Sequence, residues 1–482
     1  MKVHSIRYNA AMNMILTTSS IIFPLITVPY VSRVLSTYGL GAVTFASSVL
    51  SYFLLVAQFG ISLYGVRACA PVRDDKEKLS HVVKELLVLL TLTTAVVTFA
   101  YIAAFFLVPR FQEEPVLHIM FGLALWLGSF GVEWFYQALE QYDYITIRSV
   151  IFKAVGLVLM FVFVKGTDDY ISYGWIVILT GYGSNIVNLL RLRRFCDLTD
   201  RKPLHPLHHL KAMVWFAVAS SASNMYTQTD IILLGFLATN SVVGVYQIVS
   251  KIESLLKQAV NSVGNVLLPR MSYYVSHGRQ DELNGLMAKT VNFIAVASIY
   301  LIMVCTVCPD EIVGILGGQS FASAALPLIA NGPAVLFSAT NIPLASYLVA
   351  KSGEKKWAKA NALSLIFSYA VGIPLVIAFG MVGAGLAISF TEGFGMFLRI
   401  HYCKGLFRAI RPELDVAKPF ISGVIAGIIT WALASLFLAS ASQIISLIVK
   451  GLFFTLVYFL LLLMMKETFV KDSFERYTRR RA

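Results

Sequence analysis

Charge is what this sequence has least of. Only 13% of its 482 residues are Asp, Glu, Lys or Arg, against about 25% in soluble globular proteins. Hydrophobic residues make up 57%, and the mean hydropathy is +0.74. A soluble enzyme of this length could not cover its surface with so few charges, and a disordered chain would not carry so much apolar mass. Long polar stretches are missing too: no segment between apolar runs exceeds about two dozen residues, which leaves no room for an extramembrane catalytic domain. There is no G-x-x-x-x-G-K-[ST] stretch, which excludes ATP hydrolysis by a phosphate-binding loop. The five cysteines include a single C-x-x-C, Cys305 and Cys308, without a second pair. They read as small apolar helix residues rather than a redox or metal site. His205, His208 and His209 stand close together between apolar runs, but a metal site needs more ligands at defined spacing. Neither a metal nor a cofactor is expected, and no catalytic group stands out, so the chain reads as a carrier or channel rather than an enzyme.

What is present is a series of long uncharged runs, at 34–66, 86–109, 170–190, 312–350, 360–391 and 419–449. A helix crosses the hydrocarbon core with about 20 apolar residues. Divided at Gly, Pro and polar turns, the runs predict an all-α integral membrane protein of 14 helices, near 10–31, 42–66, 85–108, 116–138, 147–165, 171–190, 212–237, 242–268, 290–309, 325–350, 359–379, 383–403, 418–439 and 443–465. The basic residues give an independent test, because cytoplasmic segments collect Lys and Arg. With the amino terminus inside, 31 of the 39 fall on inner segments and three, Arg33, Arg110 and Lys165, on outer ones. Both termini are then expected in the cytoplasm. The formal charge of +13 lies on the face that meets anionic lipid and gives no reason to expect nucleic acid. The first apolar run, with Pro24 and Pro29, is too long for a cleaved signal peptide.

Sliding the chain on itself by 203 residues lays polar positions over polar positions. Thr17, Ser20 and Thr27 fall on Ser220, Ser223 and Asp230; Gly41 falls on Gly244, Ser48 on Lys251, Ser51 on Ser254, Gln58 on Asn261, Ser62 on Asn265 and Arg67 on Arg270. Internal repeats with the site between them are common in transporters. The expected organisation is a six-helix lobe at 1–208, a second at 209–408, two further helices at 409–466 and a basic tail at 467–482. Residues three, four and seven apart share a helical face. Ser48, Ser51, Gln58 and Ser62 therefore stripe helix two, while Lys251, Ser254, Gln258, Asn261 and Asn265 stripe helix eight. Ser220, Ser223, Asn224, Thr227 and Asp230 line helix seven. Hydrogen bonding between helices accounts for most buried Ser and Thr but fits Lys251 and Asp230 poorly. A charge in mid-membrane costs about 2.5–3.5 kcal/mol even on the lenient scale, so such charges usually face water-filled cavities. The stripes predict a wet, net-positive cleft. Elsewhere, Glu392 and Arg399 share a face of helix twelve, where an ion pair competes with a pathway role. Lys153 is expected to snorkel to the interface, and Lys450 finds no partner in the sequence.

The residues also carry a family likeness. Val31-Ser-Arg-Val-Leu35, Tyr38-Gly-Leu-Gly41, Tyr52-Phe53, Gln58-Phe-Gly-Ile-Ser-Leu-Tyr-Gly-Val-Arg67, Glu133-Trp-Phe-Tyr-Gln-Ala-Leu-Glu140 and Tyr144-Ile-Thr-Ile-Arg148 together resemble the Wzx-type polysaccharide repeat-unit flippases (O-antigen, capsule, exopolysaccharide) of the MOP exporter superfamily. The likeness is dense over the first 200 residues and architectural beyond them. It implies two six-helix lobes facing each other in a V, with the last two helices appended. It also implies a bacterial inner-membrane protein that moves undecaprenyl-diphosphate-linked oligosaccharide outward by alternating access, supplying a polysaccharide polymerase. The related lipid II flippases turn basic residues of helices one, two and eight toward the cavity. Lys251 matches on helix eight, whereas Ser48 on helix two departs from the pattern. In that setting Lys251 and Lys257 are the candidate diphosphate ligands, Ser48, Ser51, Gln58, Asn224, Ser254, Asn261 and Asn265 the candidate sugar ligands, and Asp230 and Glu392 the candidates for ion coupling. The alternatives are a cation-coupled multidrug exporter of the same superfamily, which would want more acidic residues in the cleft, and a membrane-embedded glycan polymerase, which would want a large external loop.

Overall fold

The computed structural model describes residues 6–198, 203–261, 264–437 and 442–471, and they are helical with no strand among them. The chain opens with α1 (Ile6–Val34), α2 (Thr37–Gln58), α3 (Ile61–Cys69), α4 (Lys76–Leu107) and the short α5 (Pro109–Gln112). It continues through α6 (Pro115–Ser129), α7 (Glu133–Ala138), α8 (Tyr142–Phe163), α9 (Tyr170–Ile178) and α10 (Ser184–Leu192). After a linker come α11 (Leu210–Tyr226), α12 (Thr229–Leu237), α13 (Asn240–Asn261), α14 (Gly264–Ser276), α15 (Gln280–Val307) and α16 (Pro309–Gly317). The last elements are α17 (Ala325–Ala350), α18 (Glu354–Tyr402), α19 (Lys404–Ile410), α20 (Ala417–Phe437) and α21 (Gln443–Met464).

Local chemistry sets these ends. Ser36 caps α2 by accepting the Gly39 N–H at 3.1 Å, and Asp75 caps α4 by accepting those of Glu77 and Lys78 at 3.1 Å, satisfying amides that a helix start leaves open. Gly60 breaks α2 from α3 with φ +76°, a left-handed conformation that glycine takes without penalty. Gly380, at φ +54° and ψ −126°, interrupts the 49-residue α18 between the two helices expected at 359–379 and 383–403.

Ten helices are long and apolar enough to cross a bilayer among the described residues. The other stretches expected as spans are helical but broken or charged: α9 and α10 meet through a π-turn at Leu179–Gly183, α11 and α12 are separate, and α13 carries Lys251, Glu253 and Lys257. Large apolar side chains such as Val96, Phe99, Phe106, Trp431 and Phe437 are exposed in rows, as lipid rather than water requires.

The repeat expected from polarity reappears in the element bounds. Displaced by 203 residues, the start of α2 coincides with that of α13, and the end of α1 with that of α12. Spatial proximity divides the chain elsewhere, into units 1–244 and 245–482, because α11, α12 and the first turn of α13 pack with α2 and α3. The first unit has two cores, one around Leu50, Phe121 and Leu125 and one around Leu86, Phe135 and Tyr136. In the second, α20 and α21 are built onto α15: Ala426, Phe454 and Tyr458 pack on Val296 and Ile299, and the Tyr458 hydroxyl donates to the Val296 carbonyl at 3.0 Å.

Candidate functional site

Helix α13 has two unlike faces. One buries Tyr246, Ile248, Val249 and Ile252. The other leaves Lys251 and Ser254 exposed, with Gln258 donating to the Ser254 hydroxyl at 3.2 Å and Asn261 half-buried beyond it. A cationic and amide-bearing face is one that water, rather than lipid, suits.

The basic residues inside spans differ in their partners. Lys153 donates to the Ser19 and Ser20 hydroxyls at 3.0 and 2.8 Å. Arg148 donates to Glu133 at 2.8 Å, Arg399 to Asn361 at 2.5 Å, and Lys450 to Glu311, which also accepts from Ser446. Lys251 makes no hydrogen bond and no ion pair with the described residues. Of the span cations named here, it is the uncommitted one.

Lys257 has the opposite situation. Its ammonium lies 2.5 Å from Glu253 and 3.0 Å from Glu392, carboxylates whose side chains are 9% and 2% exposed. Asn331 donates to the second oxygen of Glu253 at 3.0 Å, and Asn341 to that of Glu392 at 3.0 Å. Two carboxylates around one ammonium leave the cluster net negative, which repels a diphosphate. Glu392 is thus held by Lys257, whereas Arg399, on its own helix face, turns to Asn361. Lys153 does not snorkel: it is drawn inward and lines a cavity of about 380 Å³ with Ser20, Thr27, Tyr173, Thr180 and Tyr182.

The helix expected at 212–237 is broken after Tyr226, and the break is braced. The Tyr52 hydroxyl of α2 donates to the Met225 carbonyl at 2.6 Å, an acceptor near the end of α11. Asp230 sits buried in the first turn of α12, its Oδ1 accepting the Ile231 N–H at 2.9 Å, where free amides and the helix dipole favour negative charge. Discontinuous helices of this kind build substrate and ion sites in transporters. Asn224 and Thr227 are exposed beside the break. On α2, Ser48 is buried, Ser51 donates to the Ser47 carbonyl at 3.0 Å, and Gln58 donates to Gly128 at 3.2 Å while accepting from Ser62. Helix two therefore presents less free hydrogen-bonding capacity than helix eight. The side chains of Ser220 and Asn265 lie outside the described residues.

One feature was hidden in the repeat itself. A methyl at Gly41 would run into the Asn240 carbonyl, and one at Gly244 into the Thr37 carbonyl; the repeat pairs Gly41 with Gly244 and Thr37 with Asn240, so the contact is reciprocal. Arg110 locks it, donating to the Gly235 carbonyl and the Asn240 side chain at 2.6 Å each.

This is the architecture of a multi-pass membrane transporter, and solved structures share it. The lipid II flippase MurJ in an inward closed conformation superposes with a TM-score of 0.68 at 15% identity, over 94% of this chain and 97% of that one. An inward-facing MATE multidrug resistance transporter of the MOP superfamily gives 0.64 at 11% identity, over 82% and 96%. Residues 6–275 match the family described as "Polysaccharide biosynthesis protein", and the chain belongs to that family. A putative O-antigen transporter of Escherichia coli K12 is 22% identical over 397 residues, covering 80% of this chain and 94% of its own length. A probable low-salt glycan biosynthesis flippase of Haloferax volcanii, Agl15, is 21% identical over 268 residues, 54% of this chain and 55% of that protein.

Proposed function

We propose that the protein is a flippase that carries a lipid-linked oligosaccharide from the cytoplasmic to the outer leaflet of a bacterial plasma membrane, for polysaccharide synthesis. Family membership and the named relatives support the class of cargo. The observation within the molecule that carries the reading is Lys251, an uncommitted cation on a polar helix face. A charged diphosphate and a sugar head cannot enter hydrocarbon unaided. Lys251 meets the diphosphate of an undecaprenyl diphosphate carrier; at 4 Å in a partly wet site, one unit charge pair is worth about 4 kcal/mol. Ser254, Gln258, Asn261 and Asn224 hydrogen-bond the sugars while the polyprenyl tail stays in lipid. The braced break at Asp230 and the Lys257–Glu392 cluster are the places for ion coupling. The two repeats, 1–208 and 209–408, alternate access around this face, with 14 spans and both termini in the cytoplasm. No covalent step is involved, and the product feeds a polymerase outside.

The test is genetic. In a strain deleted for this gene, lipid-linked repeat units should build up on the inner leaflet and surface glycan should vanish. Wild-type protein should restore the glycan, and Lys251→Gln should not, at equal protein in the membrane. Full glycan with Lys251→Gln would refute the role of Lys251.

A further inference from the structure

The first unit gathers a set of side chains that transport leaves unused. A 3-10 turn, Pro206–His209, leads into α11 and lies against the first turns of α4. There Glu85, 3% exposed, accepts the His205 N–H at 2.7 Å through Oε1 and meets His209 Nε2 at 3.0 Å through Oε2. One ligand atom each from Glu85, His208 and His209 lie within 4.8 Å of one another. His81, one turn before Glu85 on α4, brings its Nε2 to 3.4 Å from Oε1.

Both histidines of the turn are also oriented from behind. His209 Nδ1 is 2.7 Å from the Tyr64 hydroxyl, and His208 Nδ1 is 2.5 Å from the His205 carbonyl. An oxygen partner on one ring nitrogen fixes the tautomer and turns the other nitrogen toward an ion, the usual support of a metal-ligating histidine. Zinc ligand atoms about 2.0–2.1 Å from the ion stand about 3.3 Å apart in a tetrahedron. The pair from Glu85 and His209 is already near that spacing, and exposed His208 offers the third ligand atom within 4.8 Å of both. Two imidazoles and a carboxylate suit zinc better than magnesium or calcium, which favour oxygen.

We propose that Glu85, His208 and His209 bind a zinc ion, with His81 or water in the fourth position. The ion pins the segment entering α11 to α4 and so fixes the start of the helix that breaks before Asp230. The site stands apart from the flippase reading and tests separately.

The experiment uses the full-length protein in detergent, stripped with EDTA and titrated with Zn²⁺ alone. Wild type should take up one zinc per chain and melt at a higher temperature with it. His208→Ala, at an exposed position, should keep the metal-free melting temperature and lose the zinc. Tyr64→Phe should weaken binding about 10–100-fold, as loss of a supporting hydrogen bond does. Co²⁺ in wild type should give the visible bands of a tetrahedral site, which needs no variant. Zinc retained equally by His208→Ala, or wild type with neither zinc nor a tetrahedral Co²⁺ spectrum, would overturn the proposal.

Discussion

Six residues apart on α13, Lys251 and Lys257 live in opposite surroundings, and their substitutions should fail in opposite ways. Lys257 sits between two buried carboxylates. Lys257→Met strands both, and removing one partner of a buried pair costs about 3–5 kcal/mol, so the variant should show a lower melting temperature and less protein in the membrane. Lys251→Met leaves no partner behind and should keep both, while transport is lost. Equal melting temperatures for the two variants would count against this division. With the family likeness, the sequence offers both lysines as candidate diphosphate ligands, because it does not show which residues of other helices face them. Glu392 illustrates the same limit: Arg399 shares its helix face, but Lys257, 135 residues away, holds it. Lys450 looked partnerless because Glu311 lies 139 residues before it. Glu467, just beyond α21, gives a pH signature outside the membrane. Burial holds its carboxyl above the usual range, although the Phe469 and Val470 amides pull it down. The folded state therefore favours the protonated form, a contribution present below the unfolded value and lost as pH rises through the folded one. The melting temperature of wild type relative to Glu467→Gln should fall as pH rises above the ordinary carboxylate range, and a rise would contradict the assignment.

At the scale of helices, the repeat was legible and the breaks were not. Polar positions 203 residues apart were enough to pair helix two with helix eight, because a polar residue in a span is costly and its recurrence carries information. The break between α11 and α12 has no Gly or Pro to announce it: residues 227–228 are Thr and Gln. It is held open by tertiary contact, the Tyr52 hydroxyl on Met225, which the local sequence cannot show. The glycine contact makes a prediction of its own. Gly41→Ala places a methyl against the Asn240 carbonyl, and overpacking of this kind typically costs about 1–3 kcal/mol. Gly41→Ala and Gly244→Ala should each lower the melting temperature and glycan output, whereas Gly405→Ala, with open space around it, should change neither. A Gly41→Ala protein as stable and active as wild type would show that the helices need not approach so closely.

For the whole molecule, composition had already required lipid as solvent, and the exposed rows of Phe, Leu and Val agree. On the orientation proposed from the charge bias, reporter fusions after residues 165 and 403 should give external and cytoplasmic signals respectively, and the reverse pattern would contradict it. The central claim is that a charged, sugar-bearing lipid crosses the membrane by way of Lys251. It is met most directly by reconstituting purified protein into liposomes with undecaprenyl-diphosphate-linked repeat units and following, with time, the fraction cut by a glycosidase confined to one side. Wild-type protein is expected to bring nearly all of the lipid within reach of the enzyme, while Lys251→Gln at equal density leaves the far leaflet protected. Protection that persists with wild-type protein, or is lost equally with Lys251→Gln, would contradict it.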